Sequence, residues 1–137
     1  MVGVTSKTIY GVAALYQLSL CEQGKTLKIK DIAYRANVPQ KFLEQILLEL
    51  KKKGFLTSIK GACGGYKLVK ILQDITLKDI ILTLENDTFF DICKTDNSVL
   101  KLFWADVQSN LNNAFDIPLS ELKKYEERTN QIVNFSI

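Results

Sequence analysis

A glycine-rich turn, placed a few residues after a helix-turn-helix pattern, is the feature that most constrains this 137-residue chain. Residues 60–68 are Lys-Gly-Ala-Cys-Gly-Gly-Tyr-Lys-Leu, with three glycines between two lysines. Glycine permits positive φ and a close approach of the backbone to another surface. The segment predicts a tight hairpin with a basic tip, and a plain structural hairpin is the alternative. It contains neither G-x-G-x-x-G nor G-K-[ST], which argues against the common nucleotide-binding loops.

The elements around this turn are predicted from apolar spacing and from breakers. A first helix is expected over about residues 6–22 with Thr5 or Ser6 as its cap, a second over 27–36 and a third over 40–53. Pro39 separates the last two, because the residue before a proline is disfavoured in a helix. Residues 55–59 and 66–69 alternate as short strands. This order predicts a mainly α fold with a small β-wing, the winged helix-turn-helix. The buried stripe of the third helix is predicted to comprise Phe42, Leu43, Ile46, Leu47 and Leu50.

The second half of the chain is predicted to be mostly helical. Thr76 and Asp79 form a T-x-x-D capping-box pattern for a fourth helix to about residue 84. Residues 85–97 are polar and predict a loop, Ser98 is expected to cap a long helix to about residue 115, and a short helix follows over 119–128. We therefore divide the chain into a winged-helix domain over 1–84, a loop over 85–97, two helices over 98–128 and a tail over 129–137.

Charge is distributed unevenly along the chain. Residues 1–70 contain 12 Lys/Arg and 4 Asp/Glu, a net charge of +8, whereas residues 71–137 contain 6 and 11, a net charge of −5, and the two give the overall +3. A basic half that coincides with a helix-turn-helix favours nucleic acid as the partner. The acidic half suits self-association or a protein partner. No apolar run approaches the roughly 20 residues of a membrane span, and no signal-peptide pattern is seen at the start, so we expect a cytoplasmic protein.

The third helix would enter the major groove of double-stranded DNA. Gln pairs with adenine, Lys with guanine, and a carboxylate accepts from cytosine, so the predicted base contacts are Gln40, Lys41, Glu44 and Gln45. A solvated helix face is the alternative for each of them. Pro39 leaves the first amides of this helix uncapped, and these amides are suited to a phosphate. The predicted phosphate or minor-groove contacts are Lys7, Lys28, Lys30, Lys60 and Lys67.

These residues and motifs resemble the Rrf-two family of winged-helix repressors, which includes IscR, NsrR and CymR. The similarity covers Thr-Ser-Lys at 5–7, residues 27–33, 42–47 and 50–54, the wing, and residues 75–81. The resemblance implies a transcriptional repressor that binds an inverted repeat, with DNA-contact positions at Lys41, Phe42, Glu44 and Lys60. The chain departs from the family at Pro39, where serine is usual, and at Ala62-Cys63, where the family has glycine or proline-glycine.

The resemblance also implies that the long helix after residue 98 forms the interface of a homodimer. Its apolar residues support the same expectation. The predicted dimerisation residues are Leu102, Phe103, Trp104, Val107 and Leu111. Burial of Phe103, Trp104 and Val107 in the core of the monomer is the alternative.

Several members of the family hold an iron–sulfur cluster with three cysteines between the fourth helix and the dimerisation helix. This chain has only Cys93 in that segment and has no histidine at all. A cluster requires several converging ligands, so we expect no cofactor and no metal. A cluster held by Cys93 with carboxylates, or shared across a dimer, is the alternative.

The other two cysteines have different surroundings. Cys21 is expected to be a small core residue. Cys63 is expected to be exposed beside lysines on the wing, where a thiol can be reactive. We therefore predict a redox response at Cys63, with Cys93 as the alternative sensor and an incidental exposed cysteine as the other interpretation.

An enzyme is not predicted, because the commonest general base, histidine, is missing. The main alternative function is an adaptor whose acidic half binds a metabolic enzyme and whose DNA binding is residual. RNA binding is a weaker alternative, because the aromatic sheet pattern of common RNA-binding modules is missing.

Overall fold

In the computed structural model, the described part of the chain forms three helices, then a two-stranded antiparallel sheet, then three further helices. The structure describes residues 4–85 and 95–135. The α-helices are α1 (Ser6–Ser19), α2 (Ile29–Ala36), α3 (Gln40–Lys52), α4 (Leu77–Leu84), α5 (Ser98–Phe115) and α6 (Leu122–Phe135), and the strands are β1 (Leu56–Ile59) and β2 (Gly65–Leu68). Two single 3-10 turns, Leu72–Asp74 and Leu119–Glu121, precede α4 and α6. The predicted fold class, mainly α with a small β-wing, is confirmed.

The core is formed where α1, α2, α3 and α4 meet. Leu43, Ile46, Leu47 and Leu50 are buried along one side of α3, as the spacing predicts. The remaining fully buried large side chains of this core are Leu15, Ile32, Leu56, Ile75, Ile80 and Ile81. Each contributes about 1.5–3 kcal/mol through removal of its apolar surface from water. Because this side of α3 is packed into the core, the opposite side of the helix faces outward.

The helix ends explain several differences from the sequence-based boundaries. Helix α1 ends at Ser19, about three residues before the predicted end. Leu20, which follows it, is exposed, and so is Ile9 within the helix. Thr5 is the N-cap residue of α1, but its hydroxyl bonds Glu85 instead of capping the helix. Helix α5 is capped by the side chain of Asn97, one residue before the predicted Ser98. The capping box of Thr76 and Asp79 is confirmed.

The C-terminal helices join the winged-helix core through a short backbone ladder. The amide of Leu77 donates to the carbonyl of Ile117 at 2.8 Å, and the amide of Leu119 donates to Ile75 at 2.7 Å. Leu119 is buried and belongs to the common core. The last helix then continues through Phe135, so residues 129–135, which the sequence left unassigned, are helical. No helix in the described ranges is both long and apolar enough to span a bilayer.

Candidate nucleic-acid interface

The first turn of α3 is open at its amino end. Pro39 occupies the N-cap position at φ −59° and ψ 128° and provides no side-chain cap. Proline pre-sets its own φ but brings no acceptor for the first amides, which leaves N–H groups and the positive end of the helix dipole available to an anion. Gln40, Lys41 and Glu44 are all exposed beside this end. The four predicted base-contact residues, including Gln45, therefore lie at the surface.

Phe42 differs from the prediction. It was placed in the buried stripe of α3, but 47% of it is exposed. Its ring stacks on Tyr10 of α1, with 5.9 Å between the centroids, and the Nζ atom of Lys41 lies 5.1 Å above it. Such an aromatic pair contributes about 0.5–1.5 kcal/mol. Phe42 thus lies at the surface of α3 and helps to join α3 to α1.

A second link between α1 and α3 passes through Glu49. Its Oε1 atom accepts a hydrogen bond from Nζ of Lys7 at 2.9 Å and another from Nε2 of Gln45 at 3.1 Å. Burial works to raise the pKa of Glu49, but the bonds from Lys7 and Gln45 outweigh it, so the pKa lies below its usual value. Glu49 was not among the residues predicted from the sequence. The i,i+4 spacing from Gln45 was the signal that could have found it.

These two links border one groove. It has a volume of about 510 Å³ and lies between the start of α1 and the outer face of α3. Its lining consists of Thr5, Ser6, Lys7, Tyr10, Lys41, Phe42, Gln45 and Ile46. Predicted DNA-contact residues from both helices therefore share one surface.

The wing is a short hairpin held against the segment that precedes α2. Strands β1 and β2 pair antiparallel, with Ile59 opposite Gly65 and Thr57 opposite Lys67. A bridge between Leu27 and Tyr66 extends the sheet by one pair. Gly65 has φ +149°, and a Cβ atom there would lie 2.5 Å from the carbonyl oxygen of Leu27. Glycine is required at this position because the backbone before α2 passes directly over it.

Lysines project from this hairpin and from α2. Lys60 is exposed at the start of the wing loop, whereas Lys67 is half-buried two residue pairs below the tip. Lys28 and Lys30 are exposed at the start of α2. Lys7, the fifth predicted phosphate contact, is half-buried and paired with Glu49. Lys7 therefore differs from the exposed lysines Lys28, Lys30 and Lys60, because it is half-buried and paired with a carboxylate.

The two described cysteines lie on separate elements. Cys21 is half-buried against the core, and its thiol donates to the carbonyl of Gln17 at 3.8 Å. Cys63 is exposed in the wing loop, where its carbonyl accepts a bond from Thr26 at 3.1 Å. Within residues 4–85 and 95–135, His, Cys, Asp and Glu form no group of three that is suited to a metal ion. Cys93 lies outside the described residues. The two described thiols do not fit a three-cysteine cluster site, since neither lies between α4 and α5.

Helix α5 contains no buried residue. Leu102 is 73% exposed and Phe103 is 55% exposed, while Trp104, Val107 and Leu111 are half-buried on another side of the helix. The rings of Phe103 and Trp104 meet edge to face at 5.0 Å. The alternative in which Phe103, Trp104 and Val107 fill the core of the monomer is therefore wrong.

Comparison with known proteins agrees with this geometry. Residues 4–123 match the sequence pattern of the Rrf2 family, described as "Iron-dependent Transcriptional regulator". Protein rrf2 of Nitratidesulfovibrio vulgaris is 35% identical over 82 residues, which is 60% of this chain and 55% of that protein. The HTH-type transcriptional regulator IscR of Vibrio atlanticus is 29% identical over 132 residues, 90% of this chain and 76% of that protein. The chain thus spans little more than half the length of protein rrf2.

Two solved structures share the fold over nearly the whole chain. T. potens IscR superimposes with a TM-score of 0.75 at 34% identity, and the alignment covers 93% of this chain and 90% of the IscR chain. CymR of B. subtilis, titled the global cysteine regulator, gives a TM-score of 0.77 at 27% identity, with 91% and 98% covered. These relatives are named as regulators and not as enzymes, in agreement with the expectation from the missing histidine. The chain is a member of the Rrf2 family of winged helix-turn-helix transcriptional regulators.

Proposed function

We propose that this chain is a homodimeric, sequence-specific repressor that binds an inverted-repeat operator through α3 and the wing. The observation that carries the proposal is the outer face of α3. There Gln40, Lys41 and Glu44 are exposed beside an uncapped helix start, while the opposite side of the same helix is locked into the core. A rigid helix that presents donors and acceptors on one side is what base recognition in the major groove requires.

Base recognition is assigned to the first two turns of α3. Gln40 and Gln45 suit adenine, Lys41 suits guanine, and Glu44 suits the amino group of cytosine. Phe42 offers an apolar edge next to them, held in place by Tyr10. Each good base contact discriminates by about 1–3 kcal/mol, so this set is sufficient to define a short half-site.

Affinity is assigned chiefly to lysines on the elements around α3. Lys28 and Lys30 lie at the start of α2, and Lys60 lies at the wing loop, all of them exposed. Lys67 stands lower on the wing. Contacts from these side chains to phosphate position the protein without specifying sequence. Binding should therefore weaken steeply as salt rises.

Dimerisation is assigned to α5. A surface that exposes Leu102 and Phe103 is costly for an isolated chain, because apolar area stays in contact with water. A second copy of α5 would cover it. Two copies related by a two-fold axis would present two recognition helices to symmetric half-sites.

Selection of bound fragments from a genomic library tests the proposal. The expected result is one enriched motif with two-fold symmetry, whose half-sites are separated by one or more helical turns. Light scattering of the complex should give two chains per site. Binding that ignores sequence would contradict the proposal and would favour the adaptor alternative.

A thiol response at Cys63 is a further part of this proposal. Its side chain is exposed on the same wing loop that starts with Lys60. Oxidation or alkylation there would add bulk or negative charge next to a phosphate contact. Peroxide should therefore weaken DNA binding by the parent protein but not by Cys63→Ser. An equal loss in both proteins would remove Cys63 from the proposal and would direct attention to Cys93.

We also propose that the protein works without an iron–sulfur cluster. Cys21 follows α1 and Cys63 lies in the wing loop, so both are far from Cys93 in the sequence, and the sequence has no histidine. Protein purified without oxygen should contain no stoichiometric iron or sulfide and should bind its site fully. Two or more irons per dimer, with DNA binding that depends on them, would contradict this.

A further inference from the structure

We infer that Lys7 is a positioning residue for base recognition: through Glu49 it holds the carboxamide of Gln45 and thereby sets the base preference at one position of each half-site. The inference rests on the proposed DNA-binding function and deepens it. It also replaces the expectation that Lys7 contacts a phosphate directly.

The geometry is a relay across two helices. Lys7 belongs to the first turn of α1, and Glu49 and Gln45 belong to adjacent turns of α3. Both Nζ of Lys7 and Nε2 of Gln45 donate to the same oxygen, Oε1 of Glu49, at 2.9 Å and 3.1 Å. The side chain of Glu49 is only 25% exposed, and its Oε2 atom is buried without a hydrogen-bond partner among the described residues. The carboxylate is thus held through one oxygen by the two donors.

The chemistry of the relay fixes the orientation of Gln45. An ionised carboxylate can only accept hydrogen bonds, so Gln45 must turn its amide nitrogen toward Glu49. Its carbonyl oxygen and its other N–H make no hydrogen bond among the described contacts, and Gln45 is exposed on α3. Adenine presents an amino donor and the N7 acceptor in the major groove, which is the complementary pair. A preoriented carboxamide also loses less rotamer freedom when it binds.

The pairing of Lys7 weakens its role as a direct phosphate contact. Its charge is balanced by Glu49 at 2.9 Å, and its side chain is half-buried. Lys28, in contrast, is exposed at the start of α2. A lysine that contacts phosphate contributes to the salt dependence of binding, whereas a lysine that acts through Glu49 contributes to base preference. These two roles can be separated by measurement.

The test uses the full chain and a duplex obtained by selection. Fluorescence anisotropy is recorded over a range of salt for that duplex and for duplexes changed at each position, with Lys7→Met, Gln45→Ala and the double variant. The wild type should prefer adenine at one position by about tenfold or more, and Gln45→Ala should abolish that preference. Lys7→Met should reduce it to about threefold or less without changing the salt slope. In the Gln45→Ala background Lys7→Met should have no further effect on the preference.

Lys28→Met is the matched control. It removes an equal charge and keeps the apolar stem, and it should lower the salt slope by about one while base preferences stay intact. The inference is overturned if Lys7→Met behaves like this control. If the wild type binds specifically and Lys7→Met keeps the same preference for adenine, the inference is overturned but the proposed function is not. Absence of any specific binding by the wild type overturns the proposed function as well.

A measurement without DNA keeps the inference testable if Lys7→Met binds too weakly. The side-chain amide resonances of Gln45 in the free protein should move in Lys7→Met and stay in place in Lys28→Met. Identical Gln45 resonances in the wild type and Lys7→Met would overturn the relay. Thermal unfolding of both variants shows whether they are folded.

Discussion

The hydroxyl of Thr8 donates a hydrogen bond of 2.8 Å to Oε1 of Glu85, and so joins the first helix to the end of α4 across 77 residues of sequence. Thr8 is completely buried. The same oxygen accepts from the amide and the hydroxyl of Thr5, at 2.9 Å and 2.7 Å. This carboxylate therefore closes the helical core at the edge next to the proposed DNA-binding face.

Thr8→Val keeps the shape of the side chain but removes its hydroxyl. We expect a loss of about 1–3 kcal/mol in the free energy of unfolding, because a partly buried carboxylate loses a donor. Urea unfolding measures this directly. The control is Thr83→Val, because Thr83 bonds only the carbonyl of Asp79 in its own helix, so far as the described contacts show. Equal effects of the two substitutions would contradict the assigned role of Thr8.

The stability of the protein should fall in acid through Glu85. Burial works to raise the pKa of Glu85, but hydrogen bonds from Thr5 and Thr8 outweigh it and hold the pKa below its ordinary value of 4.5. The unfolded chain then binds the proton more readily than the folded chain. Glu85 therefore makes its full contribution to the free energy of unfolding above about pH 4.5. This contribution is lost as the pH falls through the lowered pKa of the folded state.

Urea unfolding between pH 3 and pH 7 checks this prediction. The stability of Glu85→Gln should depend less on pH below about 4.5 than that of the wild type. Glu22→Gln controls for the loss of one negative charge, since Glu22 is an exposed carboxylate paired with Lys25. A Glu85→Gln profile parallel to that of the wild type would show that this carboxyl does not couple folding to pH.

Gly65→Ala should disrupt the wing. The new Cβ atom would lie 2.5 Å from the oxygen of Leu27 at φ +149°, so both the contact and the backbone conformation are unfavourable. We expect a loss of more than about 2 kcal/mol in the free energy of unfolding. Gly24→Ala is the control, because Gly24 also has positive φ but no described atom lies within 4 Å of its added Cβ. Gly24→Ala should lower the free energy of unfolding by about 1–2 kcal/mol. An equal loss for Gly65→Ala would argue against the close approach to Leu27.

Leu102→Glu should convert the dimer into a monomer. Its side chain is largely exposed in the single chain, so the fold should tolerate a charge there, whereas an apolar interface should not. Light scattering gives the mass, and circular dichroism verifies the fold. Lys101→Glu, on a different side of α5, should remain dimeric. A wild-type protein that is monomeric at micromolar concentration, or a Leu102→Glu variant that stays dimeric, would contradict the role of this surface.

Local signals in the sequence were sufficient to predict the helices and strands of the fold. The capping box at Thr76 and the proline at position 39 each determine a backbone conformation through adjacent atoms. These are short-range effects, so they are visible in the sequence. The boundaries of α1 and α6 were less accurate, because tertiary contacts decide where an amphipathic helix stops.

The relations between elements could not be predicted in the same way. The link from Lys7 to Glu49 depends on how α1 crosses α3, and the bonds from Thr5 and Thr8 to Glu85 depend on how α4 returns to α1. Apolar spacing placed Phe42 in the core. The apolar stripe of α3 is wider than the side of the helix that is buried, so Phe42 lies outside the buried part. Exposure of α5 was left open, because the same apolar pattern suits a monomer core and a dimer interface.

Equilibrium binding to a selected operator and to a scrambled duplex, over a range of salt, tests the central claim most directly. We expect the protein to prefer the operator by about a thousandfold or more near 150 mM salt. Both affinities should fall steeply as salt rises, in proportion to the number of phosphates contacted. Equal affinity for the two duplexes, or binding that does not respond to salt, would contradict the account.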